Sequence, residues 1–70
     1  MDEFDGAKFE HNERVVVTDK MNSYFGKTGV IGTRAKDADR NMFMYVIRFD
    51  GIPEVPRGEN VFDQWQIEKV

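Results

Sequence analysis

The chain has 70 residues, of which 40% are hydrophobic, enough for the modest core of one small domain. The absence of cysteine excludes disulfides and thiolate metal sites, and no apolar run approaches the length of about 20 residues needed to span a bilayer. The net charge of −3 is uneven, since residues 14–48 carry +4 between flanking segments of −4 and −3. We therefore expect a soluble, cytoplasmic protein that does not associate with membranes.

Residues 1–12 show no regular apolar period and are rich in acidic side chains. Phe4 and Phe9 can pack onto the body of the protein, but the glycine, histidine and asparagine around them favour irregular chain. We expect a flexible acidic N-terminal arm, mobile or laid loosely over the domain, and place the domain itself at residues 13–70.

The first predicted strand covers residues 13–18, because β-branched side chains fit a pleated surface. Side chains alternate along a strand, so Val15 and Val17 should share the inward face. Residues 19–25 follow as a polar loop that also carries three large apolar side chains. Such a loop either folds back on the core or presents those side chains to a partner.

Three glycines, Gly26, Gly29 and Gly32, introduce the second predicted strand, residues 28–34. Glycines at this density mark positive φ or close approach of another strand, so Gly26 and Gly29 should occupy positions that a Cβ disfavours. Val30 is the expected inward residue of this strand. Residues 35–41 are charged and rich in Asp and Asn, which favours a hairpin tip.

The strongest strand pattern lies in residues 42–50, where apolar side chains alternate over eight positions. Two prolines exclude residues 52–58 from a central strand. Asn60 can cap one short 3-10 turn through residues 62–64, and residues 65–70 form the closing strand. The expected core consists of Val15, Val17, Val30, Tyr45, Ile47, Phe49, Trp65 and Ile67, with Phe43 on the same face of its strand.

Short strands separated by charged or Gly/Pro-rich turns predict an all-β fold, a small SH3-like five-stranded barrel with one 3-10 turn before the last strand. Residues 13–34, with Phe-Gly-Lys-Thr-Gly-Val-Ile at 25–31, resemble a KOW motif, whose pattern is an apolar strand, a loop and Gly-Lys-x-Gly-x-Val. Residues 45–50 and 66–70 resemble later strands of such barrels, including the small photosystem I accessory subunit of that fold. KOW domains occur in ribosomal large-subunit proteins and in transcription elongation factors. The resemblance implies loops that contact RNA or partner proteins.

No catalytic or cofactor pattern stands out. Residues 26–28 match the end of a phosphate-binding P-loop, but Met21 occupies the position of its first glycine and a strand follows where a helix is required. His11 is the only histidine and Ser23 the only serine, and neither lies in a metal-ligand or nucleophile motif. We predict no enzymatic activity, no metal site and no cofactor.

We expect a small binding module, an accessory or regulatory factor that docks on a protein partner such as transcription or translation machinery. One alternative is an RNA-binding KOW domain, although the pI of about 5.0 weighs against free nucleic acid. Another is a structural accessory subunit of a larger assembly. The loop at 20–27 and the hairpin tip at 34–40 should lie on neighbouring parts of the barrel. The expected partner-binding residues are Lys20, Met21, Tyr24, Phe25, Lys27, Arg34, Lys36 and Arg40.

Overall fold

Five antiparallel strands and a single 3-10 turn form the fold of residues 6–70, the range that the computed structural model describes. The strands are β1 (Arg14–Val17), β2 (Thr28–Asp37), β3 (Met42–Phe49), β4 (Val61–Asp63) and β5 (Ile67–Lys69), with the 3-10 turn at Gln64–Gln66. The predicted all-β class, five strands and 3-10 turn before the last strand are confirmed. Within the described range, no helix has the length and apolar character to cross a membrane.

The strands form one sheet in the order β4-β3-β2-β1-β5, so β4 and β5 are its two edges. Five strands laid flat would separate these edges by about 19 Å, whereas a three-residue 3-10 turn rises only about 6 Å. The sheet must therefore curl until its edges approach each other. No strand pairing joins β4 to β5 within residues 6–70, so the predicted barrel is not closed by hydrogen bonds. Each edge strand has only three residues, and β5 uses them to pair with β1.

The core lies on the concave face of this sheet and follows the alternation of β3, in which every second residue from Phe43 to Phe49 is buried. Six of the eight predicted core residues are buried, while Val30 and Trp65 are not. Phe9, Ile31 and Phe62 were not among the predicted core residues and are fully buried. The buried hydrophobic residues are Phe9, Val15, Val17, Ile31, Phe43, Tyr45, Ile47, Phe49, Phe62 and Ile67.

Ile47 and its neighbour Val46 test this assignment of faces. Ile47 is 1% exposed at the centre of β3, whereas Val46 lies half-buried on the opposite face. Replacing Ile47 with alanine should lower the free energy of unfolding by about 2–5 kcal/mol, because it leaves a cavity in the core. Val46→Ala should cost clearly less, as measured by urea denaturation of both variants. Equal losses would contradict the face assignment.

The inward residue of β2 is Ile31, so the prediction of Val30 was wrong. Ile31 pairs with Ile47 of β3, and residues directly opposite in an antiparallel pair share a face. Val30 pairs with Arg14 on one side and Arg48 on the other, which places it on the outer face. Because Val30 and Ile31 are both β-branched and adjacent, the sequence does not indicate which of them points inward. Their pairing partners on the neighbouring strands determine this.

A β-bulge at Gly32 changes the inward positions of β2. The register shifts between Ile31 and Thr33, and beyond the shift Arg34 pairs with the buried Tyr45. Arg34 therefore lies on the face that Ile31 occupies before the bulge, and its side chain is 15% exposed. The strand continues to Asp37, three residues beyond the predicted end, and only residues 38–41 form the hairpin turn.

Residues 6–12 pack against the sheet, which differs from the expected mobile or loosely laid arm. Phe9 is 0% exposed, and its ring meets Tyr45 edge to face with centroids 5.1 Å apart. The Lys8 amide donates to the Tyr45 hydroxyl at 2.9 Å, and the Asn12 amide donates to the Ile31 carbonyl at 2.8 Å. The arm thus supplies a core side chain and backbone hydrogen bonds. Residues 1–5, with Phe4, lie outside the described range.

Trp65 lies in the 3-10 turn and is 62% exposed, so its predicted place in the core was wrong. The prediction put the turn at residues 62–64 and let the closing strand begin at Trp65. Instead, Phe62 belongs to β4 and points inward, and the turn begins after Asp63. The Asp63 amide donates to the side-chain oxygen of Gln66 at 2.9 Å, which fixes the start of the turn. Because Trp65 lies in this turn and not in a strand, the alternation of side chains along a strand does not predict its burial.

Gly26 and Gly29 both occupy positions that a side chain disfavours, as predicted, for two different reasons. Gly26 has φ +84° at the end of the β1–β2 loop, a conformation that L-residues rarely adopt. Gly29 is buried between β1 and β3, where an added Cβ would overlap with the Arg48 carbonyl oxygen and lie 2.9 Å from Cγ2 of Ile47. The first glycine shapes the loop, and the second permits close strand packing.

Candidate functional site

The loop between β1 and β2 is ordered by hydrogen bonds of its own Asp and Asn residues. The Asp19 carboxylate accepts from the Met21 amide at 3.0 Å, and the Asn22 side-chain oxygen accepts from the Tyr24 amide at 2.8 Å. These are the local turns that Asp and Asn favour. At the base, the Gly26 amide donates to the Val17 carbonyl at 2.9 Å. The loop therefore has a defined shape.

Tyr24 anchors the middle of this loop to the domain. Its ring stacks on Phe49 with centroids 4.9 Å apart and planes inclined by 14°. Its hydroxyl donates to the Glu59 carboxylate at 2.9 Å. This hydrogen bond, together with desolvation, raises the pKa of Tyr24, so the hydroxyl remains a neutral donor. Tyr24 is thus half-buried as an anchor, while its neighbours are exposed.

Gln66 joins the same loop to the 3-10 turn. Its carbonyl oxygen accepts from the Thr18 amide at 2.9 Å, and its side-chain amide donates to the Asp19 carboxylate at 3.0 Å. The side chain of Gln66 therefore connects both the start of the turn and the start of the loop. These contacts bring the segment that carries Trp65 beside the β1–β2 loop.

The exposed apolar side chains of this region define the candidate site. Met21 is 93% exposed, Phe25 is 51% exposed and Trp65 is 62% exposed. Lys20 and Lys27 are also exposed, and no ion pair involves either of them within residues 6–70. We call this region the loop surface, formed by Lys20, Met21, Tyr24, Phe25, Lys27 and Trp65.

The loop surface and the hairpin tip lie at opposite ends of β2, so the prediction that they are neighbours was wrong. The loop ends at Lys27, where β2 begins, and the tip starts after Asp37, where β2 ends. A strand of this length spans about 30 Å. The predicted partner-binding residues are therefore divided: five lie on the loop surface, and Arg34, Lys36 and Arg40 lie along the distal half of the hairpin.

Arg34 and Arg40 are engaged in contacts within the domain. Arg34 donates to the Phe9 carbonyl at 3.3 Å and forms an ion pair of 3.4 Å with Glu10 of the arm. Arg40 forms ion pairs with Asp63 at 2.6 Å and Asp37 at 2.9 Å. The hydrogen bond to Asp63 is the largest cause of the raised pKa of Arg40. In turn, the hydrogen bond from Arg40 lowers the pKa of Asp37. These guanidinium groups hold the hairpin and the arm in place.

Arg14 is likewise paired, at the other end of the sheet. It forms an ion pair of 2.6 Å with Asp50, which also accepts a hydrogen bond from the Thr28 hydroxyl at 2.8 Å. The hydrogen bond from Arg14, followed by that from Thr28, lowers the pKa of Asp50. Three arginines of the basic middle segment thus have acidic partners inside the domain. Much of the positive charge of this segment is therefore used in ion pairs that stabilise the domain.

Trp65 is the residue of the loop surface that the sequence did not predict. Its polar neighbours Gln64 and Gln66 continue the period-2 pattern of Ile67, so the sequence carried no signal that separates Trp65 from a strand. No group of three or more His, Asp or Glu side chains within residues 6–70 is arranged to hold a metal ion. Comparison with known protein families, with curated proteins and with solved structures finds no match to this chain.

Proposed function

We propose that this chain is a small non-enzymatic binding module that docks on a protein partner through the loop surface. The observation that carries the proposal is the exposure of Met21 and Phe25 on one ordered loop, together with that of Trp65 in the 3-10 turn that is hydrogen-bonded to the loop. Aromatic side chains and Met are enriched in protein interfaces, where a few buried anchors supply most of the binding energy. The partner belongs to a larger assembly such as transcription or translation machinery, and the chain acts on it as an accessory or regulatory factor.

The order of the loop supports the same proposal. Tyr24 is held by its stacking on Phe49 and its hydrogen bond to Glu59, and Gln66 links the loop to the 3-10 turn. Binding costs less conformational entropy when the contacting side chains are already positioned. Lys20 and Lys27 flank the apolar side chains and suit the rim of such a contact, where charges steer association.

RNA binding is the second candidate, and one observation favours it. Lys27 is an exposed cation without an ion pair within residues 6–70, and it lies two residues from the exposed ring of Phe25. Proteins that bind single-stranded nucleic acid combine exposed cations with exposed aromatic rings on which bases stack. The meander of β2, β3 and β4, with β5 paired to β1, also supports the resemblance to KOW and SH3-like domains. Against it, Arg14 and Arg40 already bind carboxylates of the domain.

The experiment that separates the two begins with capture of partners from cell lysate, with and without nuclease. Affinity for the captured partner is then measured for the natural chain, Phe25→Ala and Lys27→Ala at two salt concentrations. A protein partner predicts that Phe25→Ala costs more than about 1 kcal/mol, while Lys27→Ala changes mainly the association rate. An RNA partner reverses the order, and Lys27→Ala flattens the salt dependence.

Lys36→Ala is the matched control, because it removes the same charge at the opposite end of β2. It should leave affinity unchanged for a partner that contacts only the loop surface. If Phe25→Ala and Lys27→Ala fold normally and bind as the natural chain does, the loop surface is not the site and the proposal fails.

A further inference from the structure

A concavity of about 280 Å³ lies between the end of β3 and the loop that connects β3 to β4. The chain bends at Pro53, and Ile52 and Val55 on the two sides of the bend are half-buried against the core. Sites for small organic ligands usually have volumes of about 300–1,000 Å³. The concavity is therefore of a size that suits one long side chain of a partner better than a separate small molecule.

The walls of the concavity are largely apolar. Ile47 and Phe49 of β3 form one wall, and Ile52 and Val55 of the loop form another. Asn60 is held beside Ile47, because its backbone carbonyl accepts from the Ile47 amide at 2.9 Å and its side chain donates to the Ile47 carbonyl at 3.4 Å. Such walls suit the methylene groups of a long side chain.

The charge at the concavity comes from Glu54. Arg48 also lines it, but the guanidinium group of Arg48 donates to the Asn12 side chain at 3.4 Å. The Arg48 side chain passes over Gly32 of β2, which lies on the side of β3 opposite to the β3–β4 loop. Glu54 is exposed and forms no ion pair with any residue of the range 6–70. The concavity therefore presents a carboxylate without a counter-charge.

The backbone of the loop adds hydrogen-bond acceptors. Among the residues that the structure describes, no backbone hydrogen bond involves the amide or carbonyl groups of residues 53–55. Because Pro53 lacks an N–H group, this stretch offers more acceptors than donors. The ammonium group of lysine and the guanidinium group of arginine carry only donors and a positive charge. Acceptors and carboxylate together favour a ligand of that kind.

We propose that the concavity binds a long basic side chain, lysine or arginine, of a partner protein. The methylene groups of this side chain pack against the apolar walls, and its charged end pairs with Glu54. Lysine and arginine bind in this manner because their stems are apolar while their ends stay at the water. The concavity shares no residue with the loop surface, so the inference does not depend on the function proposed there.

The test is an NMR titration of the isotope-labelled full chain with four capped pentapeptides, Gly-Gly-X-Gly-Gly. The central residue X is arginine, lysine, norleucine or glutamate. The arginine or the lysine peptide should produce saturable shifts in residues 47–60, with a dissociation constant in the millimolar range. The norleucine peptide keeps an apolar stem without the charge and should bind about fivefold more weakly. The glutamate peptide should not bind.

Substitutions of Glu54 test the charge directly. Glu54→Gln keeps the shape of the side chain and should weaken binding of the basic peptide about fivefold, while Glu54→Lys should abolish it. Both variants should fold, because Glu54 is exposed. Glu68→Gln is the matched control, since it removes the same charge from β5 and Glu68 does not line the concavity. It should bind as the natural chain does.

The proposal is overturned if no peptide shifts residues 47–60, or if the norleucine peptide binds as tightly as the basic peptides. Equal weakening by Glu54→Gln and Glu68→Gln also overturns it, because it indicates a general attraction of cations to an acidic chain. Phe25→Ala separates this site from the loop surface. Peptide binding that survives Phe25→Ala and is weakened by Glu54→Gln supports the concavity whatever the loop surface does.

Discussion

Replacing Gly29 with valine should destabilise the domain by more than about 3 kcal/mol, enough to unfold a large fraction of so small a protein. The reason is steric. Gly29 lies between Val15 of β1 and Phe49 of β3, and an added Cβ would overlap with the carbonyl oxygen of Arg48. A backbone carbonyl held in a strand ladder cannot rotate away as a side chain does. The midpoint of urea denaturation measures the loss.

Gly58→Val is the matched control, since the same side chain is added at an exposed loop position. Gly58 has φ +88°, so valine there is strained, but nothing lies within 4 Å of its Cβ position. The expected cost is therefore smaller, about 1–2 kcal/mol. A Gly29→Val variant that unfolds at the same urea concentration as the natural chain would show that β1 and β3 can separate at this point.

Phe9→Ala should lower the free energy of unfolding by about 3–5 kcal/mol, the usual cost of removing a buried phenylalanine ring. Phe9 is fully buried against Tyr45, although it belongs to a segment without regular secondary structure. Its removal leaves a cavity over β3 and loosens the arm, whose Lys8 amide donates to the Tyr45 hydroxyl. Thermal and urea unfolding both report the effect.

Met21→Ala serves as the comparison for Phe9→Ala, because it also truncates a large apolar residue outside the strands. Met21 is 93% exposed, so its removal should change stability by less than about 0.5 kcal/mol. If Phe9→Ala is as mild as Met21→Ala, residues 6–12 contribute no stability and the arm only rests on the domain.

The accuracy with which the sequence predicted the inward residues of each strand followed the regularity of that strand's apolar pattern. β3 alternates without interruption, and its four inward residues were all identified. β2 holds Val30 and Ile31 side by side between glycines, so its face depends on pairing partners that lie far away in sequence. The burial of Phe9 depends on a space over Tyr45 that only the assembled sheet creates. Periodicity cannot report such contacts.

The candidate site was likewise predicted only in part from the sequence. The β1–β2 loop was identified because large apolar residues in a polar loop need either burial or a partner. Tyr24 is half-buried and Phe25 is exposed, and only the stacking of Tyr24 on Phe49 distinguishes the two residues. The hairpin tip was placed beside the loop because both flank β2, but the ten residues of that strand separate them. Trp65 was assigned to the core by extending strand alternation into a 3-10 turn.

The bulge at Gly32 sets the phase of the whole distal hairpin. Inward positions in β2 carry odd numbers up to Ile31 and even numbers from Arg34 onward, whereas β3 keeps odd numbers throughout. If Gly32 were paired as a regular strand residue instead of bulging, every following side chain of β2 would lie on the other side, and Arg34 would move away from the Phe9 carbonyl. A different hairpin grafted onto this domain after Gly32 must therefore place its inward side chains at even-numbered positions, beginning at position 34.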